Sequence, residues 1–202
     1  MAGSDSSAGG QSGARSREPD PAGGGWAEPG PSGPRRLVIR TDGASRSNPG
    51  PASCGAVLID ADGPDPYDPD ALPVAVVARS LGVRTNNVAE YAGLVLALRE
   101  ARRLGAEEVD LRLDSKLIVE QVNGRWRVKD AKLQGLFAEA RRHLATFARW
   151  SATHEPRVRN RAADALANLA LDDPDAAAML VAEVARRNGR EPAPPPPSAD
   201  RL

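Results

Sequence analysis

Cysteine occurs once in the 202 residues, as Cys54. No intramolecular disulfide is possible, so a disulfide-stapled scaffold is excluded. A single thiol fits a reducing compartment, and a cytoplasmic location is expected. Cys54 heads the apolar run Gly55-Ala56-Val57-Leu58-Ile59, which marks it as a small core residue rather than a nucleophile. Aromatic residues make up only 3% of the chain, so its core has to be built from Ala, Val and Leu. No window of about 18 consecutive apolar residues is present, which excludes a membrane-spanning helix. The N-terminus lacks the charged-then-apolar pattern of a secretory signal. Net charge is also missing, since 27 basic residues balance 27 acidic ones. The average hides a segregation: residues 35–170 carry 21 Lys and Arg against 17 Asp and Glu, a surplus of four positive charges that the two ends offset. That surplus is compatible with a polyanionic partner.

What is present falls into three stretches. Residues 1–34 are Gly, Ser, Pro and Ala with scattered charge and Trp26 as the lone aromatic. Such a composition buries too little to offset its ordering entropy, so a disordered tail is expected. Residues 35–171 carry the regular patterns of one domain. Residues 172–202 read as a C-terminal helix and a Pro-rich tail: Asp173-Pro174 opens the helix, Gly189 closes it, and Pro192–Pro197 follow.

Within the domain, Leu37–Thr41 reads as a short buried strand that ends on Asp42. Asn48-Pro49-Gly50-Pro51 is a turn, and Ser53–Asp60 is a second strand. An Asp-rich loop with Pro66 and Pro69 follows, then a third strand over Val74–Ser80. The period then changes. Tyr91, Leu94, Leu98, Ala101 and Leu104 recur every three or four residues before Gly105, the pattern of an amphipathic helix with a glycine stop. Val109–Leu113 alternates as a fourth strand, again ending on an acid, Asp114. Helices over Leu117–Val122 and Gln134–Phe147, a strand over Ala148–Thr153 and a helix over Arg161–Leu171 complete the order β-β-β-α-β-α-α-β-α. This is an α/β fold: an antiparallel meander joined to parallel crossovers, hence a five-stranded mixed sheet flanked by helices.

The chemistry centres on carboxylates. Asp42 and Asp114 each end an apolar strand, Glu90 opens the helix after the meander, and Asp164 lies in the first turn of a later helix. Two half-desolvated carboxylates on neighbouring strands repel unless a cation lies between them. Hard oxygen donors without clustered cysteine or histidine point to Mg²⁺ or Mn²⁺, not zinc. Each acid also has a plainer explanation. Asp42-Gly43 suits a turn, Asn87 and Glu90 have the spacing of a capping box, Asp114 suits an N-cap, and Asp164 suits the positive end of its helix. Their joint occurrence at four element junctions favours a common site, but spacing alone does not name a reaction.

The motifs do. Thr41-Asp42-Gly43-Ala44-Ser45-Arg46-Ser47-Asn48-Pro49-Gly50-Pro51, Thr85-Asn86-Asn87-Val88-Ala89-Glu90, Leu113-Asp114-Ser115-Lys116, and His154 with Asn160 and Asp164 resemble, in order, the four motifs of type 1 ribonuclease H. Actinobacterial-type domains of that family are especially similar. The likeness covers about residues 36–171 and implies a ribonuclease H-like fold and an endonuclease that hydrolyses the RNA strand of RNA–DNA hybrids, leaving 3′-hydroxyl and 5′-phosphate ends.

Residue by residue, the resemblance implies that Asp42, Glu90, Asp114 and Asp164 hold two Mg²⁺ ions, with Mn²⁺ as a substitute. It gives His154 the part of a mobile histidine that assists proton movement or product release. Asn48, Asn86 and Asn87 fall at positions that contact the hybrid in its minor groove, where amides match a 2′-hydroxyl that both donates and accepts, and Gly43 falls where the backbone closely approaches the strand. Asn160 falls in the substrate-contacting set, as a support for the histidine loop. Arg125, Trp126, Arg127 and Lys129 form a basic–aromatic–basic stretch that suits DNA phosphates and sugars, or a helix connection with Trp126 plugging the core. A monomer is expected, and Pro192–Pro197 suits either a linker to a C-terminal fusion or partner domain or a simple tail. Departures accompany the likeness. The basic handle of many members is absent, Lys116 replaces a common Gln, and the loop Glu155–Arg159 is Arg-rich without the usual glycine. A non-catalytic hybrid-binding module and another nuclease of the same superfamily stand as alternatives.

Overall fold

The computed structural model describes residues 35–192. The expected tail over residues 1–34 and most of the Pro-rich end lie outside that range. The strands are β1 (Arg36–Ser45), β2 (Gly50–Asp60), β3 (Ala75–Arg84), β4 (Glu108–Leu113) and β5 (Arg149–His154). The helices are α1 (Asn86–Arg103), α2 (Lys116–Val122), α3 (Ala131–Leu144), α4 (Arg161–Asp172) and α5 (Pro174–Arg187), with a 3-10 turn at Arg157–Arg159. The sheet runs β3-β2-β1-β4-β5, with antiparallel pairs among the first three strands and parallel pairs from β1 to β4 and β4 to β5. The expected order and mixed sheet are present.

Element ends differ from expectation where local pattern gives no signal. β1 runs three residues past Asp42 because Gly43–Ser45 pair with Ala52–Cys54 of β2. Gly43-Ala44-Ser45 carries no strand pattern of its own, so the extension comes from tertiary pairing. Asp42 is therefore a strand residue, opposite Gly55, and not a turn residue. β3 likewise continues to Arg84 across an irregularity opposite Ala52 and Ser53. Helix α3 starts at Ala131, where the Asp130 side chain accepts the Lys132 amide at 2.8 Å. The 3-10 turn was not expected.

Strand parity divides the core. Leu37, Ile39, Leu58, Leu111 and Leu113 face α1, α2 and α3 in the larger apolar cluster. Val38, Val57 and Ile59 face the other way, toward Leu166 of α4 and Val184 of α5. Helix α5 thus packs on the domain, capped by Asp173, whose side chain accepts the Ala176 amide at 2.9 Å. Cys54 is wholly buried, and burial pushes its thiol up to about 12, which suits a core residue. No described helix is long and apolar enough to cross a membrane.

Candidate active site

A fork in the sheet creates the site. β1 and β4 pair in parallel from Arg36 to Ile39, and the pairing ends at Leu111. Beyond that point both strands run on, one to Asp42 and the other to Asp114. Parity puts Asp42 with Val38 and Arg40, and Asp114 with Asp110 and Arg112, on the face covered by α4. The opening lies at the carboxyl ends of the parallel strands, where open α/β sheets bind ligands.

Asn160 spans the fork. Its Nδ2 donates to the Thr41 carbonyl and to Asp114 Oδ1, both at 2.9 Å. It is 1% exposed. The expectation that Asn160 touches substrate is therefore corrected: it is a buried tie that sets the spacing of the two strand ends.

Two glycines let the flanking helices reach the fork. A Cβ on Gly43 would stand 2.7 Å from the Ala89 carbonyl carbon and 2.9 Å from Glu90 Cα of α1. A Cβ on Gly55, which pairs with Asp42, would strike the backbone of Ala163 and Ala167 in α4 and lie 2.8 Å from Leu166 Cβ. Helix α1 thus brings Glu90 in from one side, and α4 brings Asp164 from the other. This close approach of α1 gives Gly43 a reason to be glycine that is independent of substrate.

The acids differ in how they are held. Asp42 is almost fully buried and accepts the Gly43 amide at 2.8 Å. Burial first, then the charges of Asp114 and Asp164, drive its carboxyl from 3.8 up to about 7. Burial also raises Asp114, against the pull of Arg157 and the Asn160 bond. Glu90 is raised by burial, against a 2.6 Å bond from Ser115 Oγ and a 2.9 Å bond from Asn86 Nδ2. Thr85, not Asn87, caps α1, with its Oγ1 accepting the Val88 amide at 3.4 Å, so Glu90 sits in the second turn and belongs to no capping box. Ser115, not Asp114, is the N-cap of α2. The Asp164 carboxylate accepts Arg157 Nη2 at 2.6 Å and Asn168 Nδ2 at 3.2 Å.

Asn48 and Asn86 come together, with Asn48 Oδ1 accepting the Asn86 amide at 3.2 Å. This links the β1–β2 connection to the Glu90 network, and Asn87 stands exposed beside it. His154 ends β5, exposed, with Nε2 3.1 Å from the Asp114 carbonyl oxygen. The basic stretch lies apart on the α2–α3 connection. Trp126 is 46% exposed and does not plug the core; Val128 packs there instead. Arg125 is paired with Glu120, 3.0 Å between Nη2 and Oε1, while Arg127 and Lys129 are exposed.

The donor set is all oxygen, charged, partly desolvated and mutually repelling, which suits a hard divalent cation. Among the described residues, no three acid, histidine or cysteine side chains already close on one point. Ser115, Arg157 and the tie by Asn160 escaped the sequence reading. The only trace of them was an unusually Arg-rich loop and a Ser after Asp114.

Comparison with known proteins bears on the family and the fold. A family model described as reverse transcriptase-like matches residues 40–170. The crystal structure of RNase H1 from Halobacterium salinarum is 44% identical and superposes with a TM-score of 0.63, covering 68% of this chain and 98% of that one. The N-terminal RNase H domain of a Mycobacterium tuberculosis protein is also 44% identical, with a TM-score of 0.62 and coverage of 68% and 99%. An RNase H1 isolated from compost, solved with an RNA/DNA hybrid, is 35% identical at a TM-score of 0.61, with coverage of 68% and 98%. Among full-length curated relatives, the matched stretch spans 26% of the bifunctional M. tuberculosis protein and 50% of the Halobacterium ribonuclease HI.

Proposed function

The chain belongs to the type 1 ribonuclease H family, and from that premise we propose that it is an endonuclease cutting the RNA strand of RNA–DNA hybrids. The observation that carries this reading is the fork, which brings the buried Asp42 beside Asp114, tied by Asn160, and near Asp164 of α4, so that burial first and these neighbouring charges second raise its carboxyl. Carboxylates gathered at such cost to one another suit a polyanion-cutting centre that works with divalent cations. Asp42, Glu90, Asp114 and Asp164 are the residues to hold them, as two Mg²⁺ ions with Mn²⁺ as a substitute. The ions would supply Lewis acidity for attack by water and for the departing oxygen. Water adds to the phosphorus, the bond to the 3′ oxygen breaks, and the ends are a 3′-hydroxyl and a 5′-phosphate.

The chain's own side chains do the rest. Asn160 and Ser115 fix Asp114 and Glu90. Gly43, Asn48, Asn86 and Asn87 border the acid cluster and offer amides to the hybrid's minor groove, where the 2′-hydroxyl distinguishes RNA from DNA. The exposed imidazole of His154 is placed to carry a proton or to ease product release. Arg125, Trp126, Arg127 and Lys129 offer charge and an apolar face to the DNA strand. In this reading the chain works as a cytoplasmic monomer whose catalytic unit is residues 35–171. The Pro-rich stretch after α5 then serves as a linker to a fusion or partner domain, or as a simple tail; one relative named bifunctional carries its RNase H domain at the N-terminus.

The test is a labelled 20-mer class of substrates, offered as hybrid, duplex DNA and single-stranded RNA, with magnesium and with EDTA. Cleavage confined to the RNA of the hybrid, and lost in EDTA, is the expected result. Hybrid binding without metal-dependent cutting would identify a binding module instead, and cutting of duplex DNA would identify a different nuclease.

A further inference from the structure

The carboxylates share the fork with a cation of the chain's own. Arg157 opens the 3-10 turn after β5. Its Nη2 donates to Asp164 Oδ1 at 2.6 Å. Asp42 and Asp114 face the same guanidinium, adding to the hold of Asp164. The arginine also acts in reverse, easing the burial cost of Glu90 and Asp114. Arg157 therefore bonds one acid, Asp164, and bears on the other three only through longer-range charge.

The segment that delivers Arg157 is firmly held. No glycine lies between His154 and Asn160, and Pro156 precedes the turn. The Glu155 amide donates to the Leu113 carbonyl at 2.8 Å. The Glu155 carboxylate lies 3.5 Å from the buried Arg40 guanidinium and 3.3 Å from Arg112, with Arg159 at 4.0 Å. Arg40 and Arg112 sit two residues before Asp42 and Asp114 on the same strand face. The turn is thus pinned to both prongs of the fork at one end, and by buried Asn160 at the other.

We propose that Arg157 is a built-in counter-cation of the acid cluster, offsetting its charge while divalent ions are away and competing with them for the Asp164 carboxylate. This rests on the reading that the four acids hold divalent ions. Most of the Arg157 side chain is exposed, so the competition is modest and screened by salt. It gives metal uptake a second consequence. When the cation leaves Asp164, the freed guanidinium can meet a phosphodiester, so hybrid and metal each favour the other's binding.

The experiment uses the full chain stripped with EDTA and titrated calorimetrically with Mn²⁺ alone at low ionic strength. Arg157→Ala and Arg157→Gln should bind Mn²⁺ about three- to tenfold tighter than the parent, and Arg157→Lys should stay within about twofold of it. The gap should shrink as salt is raised. Circular dichroism melting in EDTA checks that each variant folds, with Arg157→Ala the less stable. An unchanged or weaker Mn²⁺ affinity in both neutral variants overturns the proposal. Because the readout needs no cleavage, that failure is distinct from failure of the nuclease reading, which the parent's action on a hybrid decides separately.

Discussion

Replacing Asp42 by Asn should stabilise the protein in the absence of metal, although it removes the central ligand. The carboxyl moves from 3.8 to about 7 through burial and the charges of Asp114 and Asp164. The folded pKa lies above the unfolded one, so the folded state holds the extra proton. The favourable contribution is complete below about pH 4 and is lost as the pH climbs through 7. At about 1.36 kcal/mol per pH unit, that interval is worth roughly 4 kcal/mol by pH 8. Water entry and relaxation reduce it, so a gain of about 2–4 kcal/mol is expected for Asp42→Asn. The amide is isosteric and can still accept the Gly43 N–H. For a domain of this size the gain is a rise in Tm of roughly 5–15 °C. Thermal melts of the two proteins in EDTA at pH 8 and pH 4 measure it, with the difference nearly absent at pH 4. Magnesium should raise the parent toward the variant and leave the variant unmoved. Equal stability at pH 8 in EDTA would mean that Asp42 is not under carboxylate repulsion, and the argument for a shared site would fail.

Three further substitutions probe the supports. Gly55→Ala should cost about 1–3 kcal/mol in denaturant melts and lower cleavage with it, because the methyl group can enter only by pushing α4 and Asp164 outward. Asn160→Ala should lower stability by about 1–3 kcal/mol, since it strands the buried Thr41 carbonyl, and should lower kcat more than KM by releasing Asp114. Trp126→Ala should leave Tm within about 1 °C and raise KM for hybrid, because a side chain nearly half exposed holds little of the core.

The fold was legible where side-chain periodicity is set by burial on one face. Leu94 and Leu98 of α1 and Leu111 and Leu113 of β4 fall where their spacing put them. The strand ends were not legible, because Gly43–Ser45 are extended only through the partner strand. Asp42 and Asp114 stand out because a carboxylate that ends an apolar run is conspicuous in any sequence, and Glu90 and Asp164 through the motifs that hold them. The roles around them did not. Asn160 acts across a fork that exists only once β1 and β4 have parted, and nothing in its neighbours shows which two strands it joins. Arg157 appeared merely as one more charge in a basic loop, although its meaning depends on Asp164, seven residues away in another element. Trp126 shows the limit from the other side: a lone aromatic between helices has the same appearance in sequence whether it turns inward or outward.

The fork begins in the middle of the sheet rather than at its margin, on the strand with neighbours on both sides. A motion that separates Asp42 from Gly55 must therefore break the β1–β2 pairing inside the sheet. The reactive groups and the scaffold form one cooperative unit, so wear at the centre cannot accumulate piecemeal. Adaptation is left to the periphery, where the exposed α2–α3 connection can change without loosening what it borders.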